Sequence, residues 1–282
     1  MTASASSAAQ AAREAVSRRL RELRQDAGLT IVELASRCGW HHAKTSRIEN
    51  TRSTPSTDDI RRWCRACSAD DQADDIVAAS RNASSMYTEW RRSMRTGLRQ
   101  LQESYGELFE ATETFRVYST RIVPGILQTE GYAAALLRGI ARFHRAPDDV
   151  DDAAAARVER SRIVHQPGHR FILVVEEAAM YYQLGNTEVM AGQLGYLLTA
   201  GALPAVSLGI VPASLADRPI RPLETFHVYD DLVAVELLTA RVTVTQPSEV
   251  ALYLRAFEEL RSLAVYGADA RALILRAIEA LR

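Results

Sequence analysis

Between residues 28 and 56 the chain is interrupted so often that only short helices fit. Gly28 ends a helical run in which Val16, Leu20, Leu23 and Ala27 recur on one face. Thr30-Ile-Val-Glu33 then has the form of a capping box, in which the Thr30 side chain takes the N–H of Glu33 and Glu33 reaches back. Leu34, Ala35 and Cys38 carry the inward face of this second helix, and Gly39 breaks it. A third helix is expected from about His41 to Asn50. Thr51 to Pro55 form a loop, and Ser56 or Thr57 starts a fourth helix that reaches Cys67. Ala35 is small where the second and third helices cross, Gly39 permits the tight turn, and Trp40 and Ile48 are apolar anchors. Such a pair holds the outer face of its second member rigidly toward solvent.

That face carries hydrogen-bond donors: His41, His42, Lys44, Arg47 and Asn50, with Glu49 the one acidic residue of the helix. A helix fits the major groove of B-DNA, about 12 Å wide, and phosphates and base edges both call for donors there. The net charge of −1 hides an asymmetry that supports this. Residues 1–67 hold 12 of the 34 basic and 7 of the 35 acidic residues, net +5, and the remaining 22 and 28 give −6. A basic head on an acidic body suits an N-terminal module that meets phosphates.

Leu29-Thr-Ile-Val-Glu-Leu-Ala-Ser-Arg-Cys-Gly39 followed by Ser46-Arg-Ile-Glu49 resembles the Xre/phage-repressor helix-turn-helix family over about residues 13–68. The resemblance implies an ion pair between Arg24 and Glu49, so these two, with Ala35, Gly39 and Ile48, belong to the scaffold. It also implies that His42, Ala43 and Arg47 face bases while His41, Lys44, Asn50 and Arg52 lie near phosphates. Two residues depart from the family pattern. Ile31 stands where many members have a glutamine, which implies a lost DNA contact, and Thr45 replaces a buried aliphatic, which implies looser packing of the third helix.

The expected fold class is α+β: an all-α, five-helix DNA-binding domain over residues 11–68, then a mixed α/β domain over 105–282. Residues 1–10 are expected as a disordered tail, and 69–104 as a connecting helix or helices with a polar outer face. Strands are expected at Arg116–Val123, Phe171–Val175, Ala205–Val211, Thr225–Tyr229 and Leu232–Leu237. Helices fall between and after them, at Thr129–Arg138, Val150–Val164, Thr187–Thr199, Ser248–Leu263 and Asp269–Leu281.

This second half is similar to the C-terminal domain of actinobacterial WhiJ-like regulators. The resemblance is carried by Val123-Pro-Gly-Ile-Leu-Gln-Thr129, Tyr132-Ala133, Arg157-Val-Glu-Arg160, Glu177-Ala-Ala179 and Gln193-Leu194. Ser161 departs from a glutamine usual there. Lys44, the only lysine of the chain, stands where that group commonly has lysine, and arginine in place of lysine elsewhere fits an actinobacterium. The resemblance implies a small BldB-like partner protein, in an arrangement likened to antitoxin and toxin, and no enzymatic activity. An antitoxin-like module that only autoregulates through its helix-turn-helix is the alternative to a regulator with an effector-binding domain.

The remaining candidates for chemistry have plainer readings. Gln128 and Thr129 either cap the next helix, the simpler reading, or line a pocket. Cys64 and Cys67, one helical turn apart, imitate a zinc pair with His41 and His42, but structural zinc usually takes its Cys-x-x-Cys from a knuckle, so core packing is favoured. His165 and His169 flank Gln-Pro-Gly with no third ligand in spacing. Acidic runs at Asp70-Asp71, Asp74-Asp75 and Asp148–Asp152 read as helix N-terminal charge. No phosphate-binding glycine loop, Gly-x-Ser-x-Gly or His-Glu-x-x-His occurs, so neither enzyme nor cofactor nor metal is expected. With no apolar run of membrane length, no secretory leader at the start and three cysteines outside any disulfide framework, the expectation is a cytoplasmic, nucleoid-associated homodimer on double-stranded DNA.

Overall fold

The computed structural model describes residues 5–222 and 224–281. The chain divides into two units, one up to Thr88 and one from Glu89. In the first, α1 (Ala5–Asp26), α2 (Ile31–Cys38), α3 (His42–Glu49), α4 (Thr57–Ala66) and α5 (Ala73–Met86) enclose a core of Leu20, Leu23, Leu34, Ile48, Ile60 and Trp63. Trp63 is fully buried, and its Nε1–H donates to the Leu20 carbonyl at 2.9 Å, so the largest core residue leaves no polar atom unpaired. Residues 1–4 of the expected tail lie outside the described residues. Residues 5–10 are helical, because the alanine-rich start contains no Gly or Pro to stop α1 extending backwards.

The second unit begins inside the expected connector. Trp90, Met94 and Leu98 pack on Leu137, Val150 and Ala153, which draws the segment after α5 into this unit's own helical core. After the short β1 (Tyr87–Glu89) at the boundary, that segment is α6 (Trp90–Ser93), α7 (Leu98–Glu103) and α8 (Gly106–Ala111), rather than one continuous helix. The sheet strands are β2 (Thr114–Ser119), β3 (Arg170–Glu176), β4 (Val206–Val211), β5 (Phe226–Tyr229), β6 (Leu232–Glu236) and β7 (Ala240–Val244), and their order is β7-β6-β5-β2-β3-β4. β2, β3 and β4 are parallel, while β2, β5, β6 and β7 are successively antiparallel. Helices α9 (Glu130–His144) and α10 (Val150–Ser161) make the crossover from β2 to β3, and α11 (Thr187–Ala200) that from β3 to β4. α12 (Pro247–Leu263) and α13 (Gly267–Glu279) close the chain.

This is the α+β organisation that the sequence implies, with two adjustments. β2 stops at Ser119 instead of Val123, since the Ser119 hydroxyl donates to the Ile122 carbonyl at 2.6 Å and turns the chain before Pro124. β7 is an additional strand, whose alternation of buried Ala240, Val242 and Val244 with less buried Arg241 and Thr243 was available in the sequence.

Candidate nucleic-acid interface

Local chemistry sets α2 and α3. Thr30 caps α2 in the full two-way box: the Glu33 N–H donates to its hydroxyl at 3.2 Å, and its own N–H donates to the Glu33 carboxylate at 2.7 Å. The hydrogen bonds hold Glu33 below the usual carboxylate range. Gly39 ends α2 at φ 71°, a left-handed conformation that costs glycine least. Ala35 and Ile48 are buried where the helices cross.

Below them, Arg24 grips the carboxylate of Glu49 with two parallel hydrogen bonds, Nε to Oε1 at 2.6 Å and Nη2 to Oε2 at 3.1 Å. Its Nη1 donates to the Leu29 carbonyl at 2.6 Å, and Arg21 donates to the Glu49 carbonyl at 2.7 Å. Glu49 is 6% exposed. One fork therefore ties the end of α1, the loop before α2 and the end of α3 together, and turns the single carboxylate of α3 away from solvent.

His42 and Arg47 remain exposed on α3, with Ala43 and Ser46 half-buried beside them. Residues 42 and 46, and 43 and 47, are one turn apart and so stand on one side of the helix. Ser46, not among the expected contacts, belongs to this set by spacing. Among the described residues, neither Arg47 nor Arg52 has an intramolecular side-chain partner. The Arg47 carbonyl accepts the N–H groups of Arg52 at 2.8 Å and Ser53 at 3.3 Å. With Thr51 at φ 56°, this folds the loop back and sets Arg52 beside the end of α3.

The other three expected positions are more engaged. His41 is the N-cap of α3, its Nδ1 accepting the Ala43 N–H at 3.3 Å, which leaves Nε2 as its outward donor. Asn50 donates to the Ser46 carbonyl at 2.8 Å and closes the same helix. Lys44, expected at phosphate, is turned to α4: its ammonium donates to Asp59, and it lies 4.4 Å from the centre of the Trp40 ring. Asp59 also completes a capping box with Ser56. Burial raises its pKa, but the bonds from Lys44 and Ser56 outweigh this and hold the carboxyl below its usual range. Thr45 does not loosen the helix. It is fully buried, and its hydroxyl accepts the Trp40 Nε1–H at 2.9 Å, a fit no aliphatic side chain could make.

In the second unit the cap reading of Gln128 and Thr129 does not hold. Thr129 is the N-cap of α9 by position but makes no side-chain cap; its N–H and hydroxyl meet the Gln193 amide oxygen at 2.8 and 3.3 Å. Gln128 is buried, donates to the Val123 carbonyl at 2.7 Å and accepts from Arg157 at 2.7 Å on the wall of a cavity. Burial pushes the thiols of Cys38, Cys64 and Cys67 up to about 11, so at neutral pH they are protonated members of the helical core. His169 Nδ1 lies 2.7 Å from the Thr112 carbonyl, and His165 is exposed. Asp149, expected to serve α10, caps α7 by accepting the N–H groups of Leu98 and Arg99 at 3.0 and 2.9 Å.

Two family profiles match the chain. One, described as a helix-turn-helix domain, covers residues 15–75. The other, described as a domain of unknown function, DUF5753, covers residues 102–276. No curated protein matches, and no solved structure matches.

Proposed function

The chain belongs to the DUF5753 family, with a helix-turn-helix domain ahead of the family domain, and we propose that it is an Xre-type transcription regulator acting in the cytoplasm on a roughly palindromic operator, as a homodimer. The inward turn of Glu49 supports this most: α3 is left with an outer face of donors, free of carboxylate and rigidly held. In a dimer two such helices enter successive major grooves about 34 Å apart. His42, Ala43 and Arg47 read base edges, and Ser46 extends that set. Arg52 and the outward nitrogen of His41 meet phosphate. Lys44 and Asn50 support this surface through their bonds to Asp59 and to the Ser46 carbonyl.

The second unit receives an effector, either a small partner of the BldB-like kind or a ligand, and carries out no catalytic step. Sequencing of DNA co-precipitated with the full chain, followed by footprinting, tests the operator. A two-fold-related protected site is expected, and scattered protection without one would defeat the dimeric reading. Protection confined to the chain's own promoter, together with co-purification of a small acidic protein, would favour the antitoxin-like alternative.

A further inference from the structure

The second unit half-buries two arginines that no carboxylate meets as an ion pair. Arg157 and Arg160 follow Val150, Ala153 and Ala154 at helical spacing, so they continue the inward stripe of α10 instead of its solvent face. Their partners are neutral. Arg157 donates from Nε to the Gln102 amide oxygen at 3.0 Å and from Nη1 to that of Gln128 at 2.7 Å. Arg160 donates to the Gln102 carbonyl at 2.5 Å and to the same amide oxygen at 3.3 Å, and its Nε is buried without a partner. One amide oxygen thus stands between two guanidiniums, and among the described residues neither has an acid within ion-pair distance. Burial, then the neighbouring cation, lowers Arg160 to about 10, so it remains charged at neutral pH, and burial lowers Arg157 as well.

Both line a cavity of about 600 Å³ that lies wholly within this unit, a size usual for small-molecule sites. Beyond the guanidiniums its wall is mostly apolar, with Gln102, Gln128, His144 and His227 among its polar members, and the Arg160 guanidinium lies 5.0 Å from the Tyr105 ring and 4.7 Å from that of Phe109. Among the described lining residues Glu236 is the only carboxylate, exposed and set against Arg121, Arg157 and Arg160. Three exposed apolar side chains, Phe143, Tyr182 and Leu238, belong to the same lining and give it an apolar rim. A neighbouring cavity of about 750 Å³ shares Arg160 but is lined by Glu103, Glu110, Asp152 and Glu159, which repel an anion.

We propose that this cavity binds a small amphipathic anion, its carboxylate or phosphate on Arg157 and Arg160 and its aromatic or branched apolar body along the wall toward Phe143 and Tyr182. Glu236 is the one negative charge that acts on these half-buried guanidiniums, and it makes no ion pair with either, so an anion in the cavity would supply the direct partner that they lack. Each has five N–H donors, of which the hydrogen bonds above use two. The inference rests on the ligand-receiving version of the effector reading, but the site is testable apart from DNA.

Two dyes separate charge from shape: 1-anilinonaphthalene-8-sulfonate, and N-phenyl-1-naphthylamine, which has the same aromatic body without the anion. The full chain should bind one sulfonate per molecule, about tenfold or more tighter than the amine, as hydrogen bonds to a charged group imply. Arg157→Met and Arg160→Met should bring the two dyes to equal affinity. Gly139→Trp should abolish both: Gly139 lies within α9 and lines the cavity, and a Cβ there meets no atom within 4 Å, so the new side chain has room to leave the helix. Equal affinity of the wild type for the two dyes would overturn anion recognition. Unchanged sulfonate binding by Gly139→Trp would overturn the cavity. These two measurements decide even where an arginine variant fails to fold. Operator binding in the same preparations separates the readings, since its loss with intact dye binding defeats the regulator and leaves the site standing.

Discussion

Each unit encloses arginine, and Arg24 in the first differs from Arg157 and Arg160 in the second in what answers the charge. Arg24 meets Glu49 through a fork of two hydrogen bonds, at 2.6 and 3.1 Å, and the pair ties three segments of the helical unit together. Arg157 and Arg160 meet amide and carbonyl oxygens, and one guanidinium nitrogen meets nothing. A cation with a resident counterion is part of the scaffold, complete without a ligand. A cation held by neutral dipoles keeps most of its desolvation cost, and a fold that retains it beside a cavity has kept a place for an anion.

The comparison is broken most severely at Glu49. Glu49→Gln leaves Arg24 buried without its charge partner, and loss of about 3–5 kcal/mol is expected. Thermal unfolding should show the helical unit melting earlier, with operator binding lost in parallel; a variant as stable as wild type would mean that the fork is not structural. Arg47→Ala should weaken specific binding by about 1–3 kcal/mol and relax preference at one base position, read by titration against operator and scrambled DNA, with the melting temperature unchanged. Thr45→Val keeps the volume but strands the Trp40 Nε1–H, costing about 1 kcal/mol in denaturant unfolding; a neutral result would assign that site to shape alone.

Acid separates the units further. The Asp59 carboxyl is held below its unfolded value of about 3.9, so its contribution is fully present above that pH and lost as pH falls through the lower folded value. Asp59→Asn should flatten the acid limb of the helical unit's melting curve. The smallest effect is expected where the burial is uncompensated: Arg157→Met should leave thermal stability unchanged or slightly raised, because it removes a charge whose burial is already disfavoured. A loss as large as that of Glu49→Gln would show that Arg157 is scaffold after all.

Lys44 shows why the interface was legible only in outline. A lysine on the outer turn of a short basic helix reads as a phosphate contact. Asp59, fifteen positions on, reads as a cap for its own helix, and nothing in spacing shows that the two will meet over Trp40. Thr45 misleads in the opposite sense, since its departure from an aliphatic residue looks like a defect until Trp40 supplies the donor. Gln128 reads as a cap because capping is the local use of such a residue, whereas its partner Arg157 lies on another helix. Arg157 itself left a signal, a cation at the next inward position of α10's apolar stripe, which is unusual enough to mark a site.

What the sequence determined by itself is local in range or tightly spaced: the two-way cap of Thr30 and Glu33, the turn at Gly39, the short helices around it, and the alternation of strand and helix after residue 105. These follow from backbone sterics and from hydrogen bonds between residues three or four apart, which any copy of the segment would make. The Arg24–Glu49 pair was legible too, through family spacing rather than local rule. Tertiary structure alone decided the partner of Lys44, the assignment of residues 89–104 to the second unit, and the gathering of Gln102, Gln128, Arg157 and Arg160 at one cavity. Those depend on which faces are buried against which. Burial changes what a charge is worth: exposed, an arginine needs no explanation, and enclosed without an acid it calls for a partner from outside the chain.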